Sequence, residues 1–146
     1  MQYDFAVIGG DRRQVYLANY LKNRRYRVIV YGTEEKDLDR ECQLAGSFFE
    51  ALTEAECIIG PVLFSKDGER LVSKKKHVNL GIKELTANLR KGQSLFGGCI
   101  SLDVLEKCRE KKVKVYDFMK MDDVAIYNAI ATAEGAIVKS YGIKNQ

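Results

Sequence analysis

Residues 7–14 read VIGGDRRQ and overlap the end of an apolar run, FAVI. Gly9 and Gly10 let a strand turn sharply, and Asp11 carries the side chain of a helix N-cap. Arg12 and Arg13 then place two guanidinium groups beside the free N–H groups of a helix start. A guanidinium fork grips a carboxylate or a phosphate with two hydrogen bonds, so the stretch suits a small anion. It does not suit a dinucleotide. The fingerprint G-x-G-x-x-G needs a third glycine, whereas Gly10 is followed by Asp11, Arg12, Arg13 and Gln14. The G-K-[ST] of a P-loop is missing as well. Consecutive helical residues point about 100° apart, so one of the two arginines is expected to face a ligand. Ordinary surface arginines are the alternative reading.

A second stretch, MDDVAIYNAIATAEGAIVKSY (121–141), has the pattern of a long helix. Asp122 and Asp123 suit its N-terminus, and Ile126, Ile130, Ala133 and Ile137 form one apolar stripe. Asn128, Thr132 and Gly135 share nearly the opposite face, with Glu134 on the flank. Small and amide-bearing residues there suit the close approach of a ligand or another backbone. A plain terminal helix with a neutral outer face is the alternative.

The elements that must position these residues alternate strand and helix. DFAVI (4–8) is expected as the first strand and Asp11 to Asn23 as a helix with Val15, Leu17, Ala18 and Leu21 toward the core. YRVIVYG (26–32) is the second strand, and a polar helix is expected after Thr33 with Leu38, Leu44 and Ala45 as its apolar positions. TEAECIIGPV (53–62) begins with a capping box, Thr53 with Glu56, and runs into the third strand, CIIG. LFSKDGERLVSKKKHVNLGI (63–82) breaks the rhythm and reads as a hairpin or flap around Lys-Asp-Gly. IKELTANLRKG is a helix with a glycine C-cap, SLFGGCI (94–100) the fourth strand, SLDVLEKCREKK a helix capped by Ser101, and VKVYDF (113–118) the fifth strand.

Helices between strands imply parallel β-α-β units with right-handed crossovers. The expected fold is α/β, a three-layer sandwich of about five parallel strands in the order 2-1-3-4-5, with residues 1–120 as the domain and 121–146 as a long C-terminal helix. Ligands in such sheets sit at the carboxyl ends of the strands. That rim gathers Gly9 to Gln14, Gly60-Pro61 and Gly97-Gly98.

Composition narrows the partners. The 146 residues carry four cysteines, one histidine and a net charge of +4. Cys42, Cys57, Cys99 and Cys108 form no C-x-x-C pair, so no metal site is expected, and Cys57 and Cys99 read as small core residues. Reduced thiols and the lack of a leader-like start point to the cytoplasm, and no apolar run approaches the length of a membrane span. The basic clumps at 24–27, 74–76 and 111–114 lack interleaved aromatic residues, so they read as solvated faces and nucleic acid is not an expected partner. His77 lies in the charged flap and reads as an exposed loop histidine.

Together, VIGGDRRQ and DDVAIYNAIATAEGAI resemble the N-terminal domain of the dipicolinate synthase A-subunit. The family pattern is a GGD-x-RQ turn paired with a DD-x-AI-x-N…T-x-EG helix. The resemblance implies a flavodoxin-like, Rossmann-like domain, a linking helix at 121–146, and a following Rossmann domain that binds NAD(P). It further implies oxidoreductase chemistry with a B-subunit, forming dipicolinate from a dihydrodipicolinate-pathway intermediate in the mother cell of a sporulating bacterium. On that reading the chain is a fragment without its own cofactor and is expected to be inactive alone. Gly9, Gly10, Arg12, Arg13, Gln14, Pro61, Asn128 and Thr132 are the implied substrate-binding residues, with Arg13 pairing one carboxylate of a dicarboxylate. Glu134 or Asp11 is the implied base, which needs a raised pKa to work near neutral pH. Ala131 stands where the family commonly has proline, so the expected kink is absent from the sequence. A homo-oligomer is a further possible assembly. Two rival roles keep the same fold: a regulatory or subunit-docking domain, or the substrate domain of another hydroxyacid-dehydrogenase-like enzyme. Flavodoxin and response-regulator modules fit poorly, because strand 3 ends Ile59-Gly60-Pro61 without a phosphoacceptor aspartate and GGDRRQ is not a hydroxyl-rich loop.

Overall fold

The computed structural model describes residues 1–120. Its elements run β1 (Tyr3–Ile8), α1 (Arg12–Asn23), β2 (Val28–Tyr31), β3 (Gln43–Leu44), α2 (Phe48–Thr53), β4 (Ala55–Ile59), α3 (Ile82–Asn88), β5 (Ser94–Gly97), α4 (Leu102–Glu110) and β6 (Lys114–Asp117), then a short 3₁₀ turn, Phe118–Lys120. All six strands are parallel in one sheet, ordered β3-β2-β1-β4-β5-β6. The five expected strands keep their expected order, and the sixth is a two-residue edge strand, β3.

Strand alternation divides the core between the two faces of the sheet. Phe5, Val7, Val28, Val30, Cys57, Ile59 and Phe96 face α1, where Ala18 and Leu21 meet them. Ala6, Ile8, Ile29, Ile58 and Leu95 face α2, α3 and α4 through Phe48, Leu52, Leu85, Val104 and Cys108. Near-continuous apolar strands such as AVI and CII are what a sheet covered on both sides requires. Burial drives the Cys57 thiol up to about 12 and Cys42 up to about 11, so both are inert core groups. Cys99 departs from the expected core role: it is exposed, just past β5, with a left-handed φ of 57°.

The polar helix expected after Thr33 does not form. Asp37 adopts φ 66°, and Asn19 ties the segment to α1 by donating to the Asp37 carbonyl at 2.8 Å and accepting from Asp39 N–H at 2.8 Å. Asp and Asn side chains here offer the backbone alternatives to helical bonds. Leu44 is consequently exposed on β3 rather than buried. The expected Thr53–Glu56 capping box does not form, and the helix is capped further upstream. Ser47 Oγ accepts from Glu50 N–H at 3.1 Å while Glu50 Oε1 accepts from Gly46 N–H at 2.7 Å, starting α2; Thr53 ends that helix. Gly92 is no C-cap, since α3 ends at Asn88 and Gly92 turns the chain at φ 93°. The long helix expected at 121–146 lies outside the described residues.

The 63–82 segment is a flap folded back on itself and onto the sheet. Asp67 accepts from the N–H groups of Glu69 at 2.8 Å and Arg70 at 2.9 Å, and Gly68 turns with φ 76°. Those N–H groups, with Arg70 first, hold the Asp67 carboxyl down at about 2. Antiparallel bridges join Ser65 to Leu71 and Arg70 to Gly81, and a parallel bridge joins Ser73 to Gly10.

Candidate functional site

Flap and glycine turn meet at the carboxyl end of the sheet. Gly9 and Gly10 both hold left-handed φ values, 64° and 77°. A Cβ on Gly9 would stand 2.6 Å from the Val72 carbonyl oxygen, so the flap, not a ligand, demands that glycine. Gly9 N–H donates to Tyr31 O at 3.0 Å and Gly10 N–H to Val72 O at 2.7 Å. The backbone donors of these two expected substrate-binding glycines are thus taken up within the chain, while Gly10 still lines the cleft beside α1. Lys74 N–H closes the junction by donating to Gly10 O at 2.9 Å.

Gln14, expected to bind substrate, has a structural task in the fold. It is buried, with 5% exposure, and its amide nitrogen donates to Ile8 O at 2.9 Å and Ile59 O at 3.1 Å. The side chain clamps the ends of β1 and β4 together. Its donors are engaged in the fold, although the residue still borders the cleft beneath α1.

Asp11 caps α1, its Oδ1 accepting from Arg13 N–H at 3.0 Å. The Arg13 guanidinium forks onto the same carboxylate, Nε to Oδ1 and Nη2 to Oδ2, both at 3.1 Å. Arg13's side-chain hydrogen bond, then its backbone N–H, holds the Asp11 carboxyl below the ordinary value. A general base near neutral pH needs the opposite shift, so of the two expected carboxylates, Glu134 or Asp11, Asp11 paired with Arg13 is not poised for that role. Arg12 turns away along α1, donating to Asp37 Oδ2 at 2.6 Å and to the Tyr16 hydroxyl at 3.3 Å.

The two arginines thereby separate. Arg13 borders a narrow cleft of about 40 Å³ with Gly10, Gln14, Pro61, Leu63 and Lys74. It also borders a wider one of about 400 Å³, together with Asp11, Arg12, Tyr16, Glu34 and Lys74. Arg12 reaches only the wider cleft. Pro61, buried at the end of β4, lies where it was expected. The Arg13–Asp11 pair is exposed on the arginine side, and an exposed ion pair contributes at most about 1 kcal/mol. The N-terminal end of α1 adds its partial positive charge to the same spot.

The remaining rim glycines serve the chain itself. A Cβ at Gly97 or Gly60 would strike the Phe64 ring, and one at Gly98 would collide with the Val62 carbonyl. Asp117, 6% exposed, was not singled out by sequence. Its carboxylate accepts from Cys99 N–H at 3.1 Å, Ile100 N–H at 2.9 Å and Met119 N–H at 2.9 Å, fixing the turn after β5. Lys74 was also missed, because SKKKH reads as a solvated run until the flap is seen docked on Gly10. Asn128, Thr132 and Glu134 lie outside the described residues. Among the described residues no group of His, Cys, Asp and Glu is placed to hold a metal, and no helix is long and apolar enough to cross a membrane.

Sheet order, covering helices and a cationic strand-to-helix turn without a dinucleotide fingerprint define a Rossmann-like α/β domain. The sequence matches the family of the N-terminal domain of the dipicolinate synthase A-subunit over residues 4–119, and the chain belongs to that family. The A chain of dipicolinate synthase from Bacillus subtilis shares the fold with a TM-score of 0.71 and 20% identity, over 100% of this chain and 50% of that one. The dipicolinate synthase A-subunit from Bacillus halodurans gives 0.68 and 18%, over 100% and 51%. D-lactate dehydrogenase with NAD+ from Lactobacillus jensenii gives 0.56 and 18%, over 89% and 42%. The chain thus spans about half the length of the first two. No curated protein matches its sequence.

Proposed function

We propose that this chain is the substrate-side domain of a dipicolinate synthase A-subunit, and that Arg13 holds one carboxylate of a dicarboxylate ring compound at the β1–α1 turn. The observation that carries the reading is the position of Arg13: it borders both clefts at the carboxyl end of the sheet, beside a helix N-terminus. Family membership over residues 4–119 supplies the substrate class. The reaction is NAD(P)-dependent formation of dipicolinate from a dihydrodipicolinate-pathway intermediate, with a B-subunit, in the cytoplasm of a sporulating mother cell.

Aromatising the dihydro ring takes loss of one hydride and one proton, with a base to receive the proton; water leaves only at the preceding step, from an intermediate that still carries a ring hydroxyl. A nicotinamide dinucleotide would supply the hydride acceptor. The β1–α1 turn does not fit its pyrophosphate, because the N–H groups of Gly9 and Gly10 already serve Tyr31 and Val72, and the dinucleotide is proposed to bind outside this turn. With Asp11 held ionised by Arg13, Glu134 is the carboxylate proposed as base, and Asn128 and Thr132 are proposed to orient the substrate.

The test is a steady-state assay of the full-length protein with the B-subunit, NAD(P) and the dihydro substrate. Arg13→Ala is expected to raise KM about 10- to 100-fold, the loss of one charge-assisted carboxylate grip, with a smaller change in kcat. An unchanged KM would refute the site. Turnover that needs the chain but ignores every cleft substitution would point instead to a docking role.

A further inference from the structure

We infer that Lys74 is the second anchor of this site, its ammonium taking the other carboxylate of the dicarboxylate that Arg13 holds by one end. The inference rests on the dicarboxylate reading above and adds a residue carried by a different element.

Lys74 borders both clefts that Arg13 borders, and with Asp11 these are the residues the two clefts have in common. It reaches that place by backbone pinning. Gly10 N–H donates to Val72 O at 2.7 Å, Lys74 N–H donates to Gly10 O at 2.9 Å, and Ser73 Oγ donates to Gly32 O at 2.6 Å. One residue further, Lys75 Nζ pairs with Glu35 at 2.8 Å. The flap is thus tied to the turn and to the loop after β2 on either side of Lys74.

The cations around it have partners: Arg12 has Asp37, Arg13 has Asp11 and Lys75 has Glu35. Lys74 Nζ has no ion pair or hydrogen bond among the described residues. Unpaired surface lysines are common. Lys74 differs in that its main chain is fixed at the lip of a cleft already holding an arginine, while its head group is uncommitted. The wider cleft holds Arg12, Arg13 and Lys74 against Asp11 and Glu34, and Asp37 already draws Arg12 outward. A ligand with one carboxylate is satisfied by Arg13 alone. A second carboxylate needs a second cation, and a lysine suits it because a compact ammonium with three donors does not require a coplanar partner as a guanidinium does.

The experiment is calorimetric titration of the full-length protein with dipicolinate and with picolinate, the same ring carrying one carboxylate. Wild type is expected to bind dipicolinate about tenfold or more tightly than picolinate. Lys74→Gln is expected to erase that preference, weakening dipicolinate about tenfold and picolinate less than about twofold, while Lys74→Arg, which keeps the charge but not the compact head group, restores only part of it. If Lys74→Gln leaves dipicolinate binding unchanged, or weakens both ligands equally, the inference is overturned. Should Arg13→Ala abolish dipicolinate binding in that same series, the site reading survives the loss. Dipicolinate that fails to bind wild type, or binds Arg13→Ala equally well, overturns both.

Discussion

Asp11 does two jobs with one carboxylate: it caps α1 through Arg13 N–H and holds the Arg13 guanidinium in a fork. The sequence made the cap legible, because aspartate after a glycine turn and before an amphipathic run has few other uses. The fork was not legible, and the same contact that orients Arg13 lowers the Asp11 pKa. Gln14 shows the opposite case. A glutamine in the first turn of a helix at a ligand rim reads as a binding residue, and only the strand ends reveal that it donates to Ile8 O and Ile59 O. Gln14→Ala is expected to lower stability by about 1–3 kcal/mol, because two buried carbonyl oxygens lose a donor. Chemical denaturation of wild type and variant measures this directly. A difference below about 0.5 kcal/mol would mean the amide is dispensable to the fold.

At the scale of elements, glycines at the strand ends mark where the chain crosses itself. Gly97 and Gly98 were expected along a rim of strand ends; Gly97 ends β5 and Gly98 follows it, and the space beside them is filled by Phe64 and Val62. Gly98→Ala is expected to destabilise the protein by about 2 kcal/mol or more, since its Cβ would meet backbone that cannot step aside. Gly68→Ala, in the flap tip with nothing within 4 Å, is expected to cost only about 1 kcal/mol, the penalty of a left-handed φ of 76°. Thermal unfolding of the two variants compares them, and equal losses would contradict the crossing as the reason for Gly98. The flap itself was visible as a Lys-Asp-Gly hairpin, yet its docking on Gly10 was not. That contact joins residues 10 and 73, far apart in sequence, through backbone groups that carry no side-chain signal. For the same reason the loop after β2 reads as a helix: its ties to Asn19 are tertiary.

For the whole molecule, strand order and the two-faced core follow from alternation and short apolar runs, which is why the sheet was readable with only the two-residue β3 unforeseen. The family was readable from two motifs, and its match over residues 4–119 agrees. The likenesses to solved chains establish the fold, and the proposed substrate site is the cleft that flap and turn build together. If that cleft is the substrate site, ligand must quiet both of its walls at once. Hydrogen exchange of the full-length protein, followed by mass spectrometry with and without dipicolinate, reads this peptide by peptide. Slower exchange in peptides spanning residues 9–14 and 70–76 together is the predicted result. Binding that leaves both peptides unchanged, with protection confined to other regions, would contradict it.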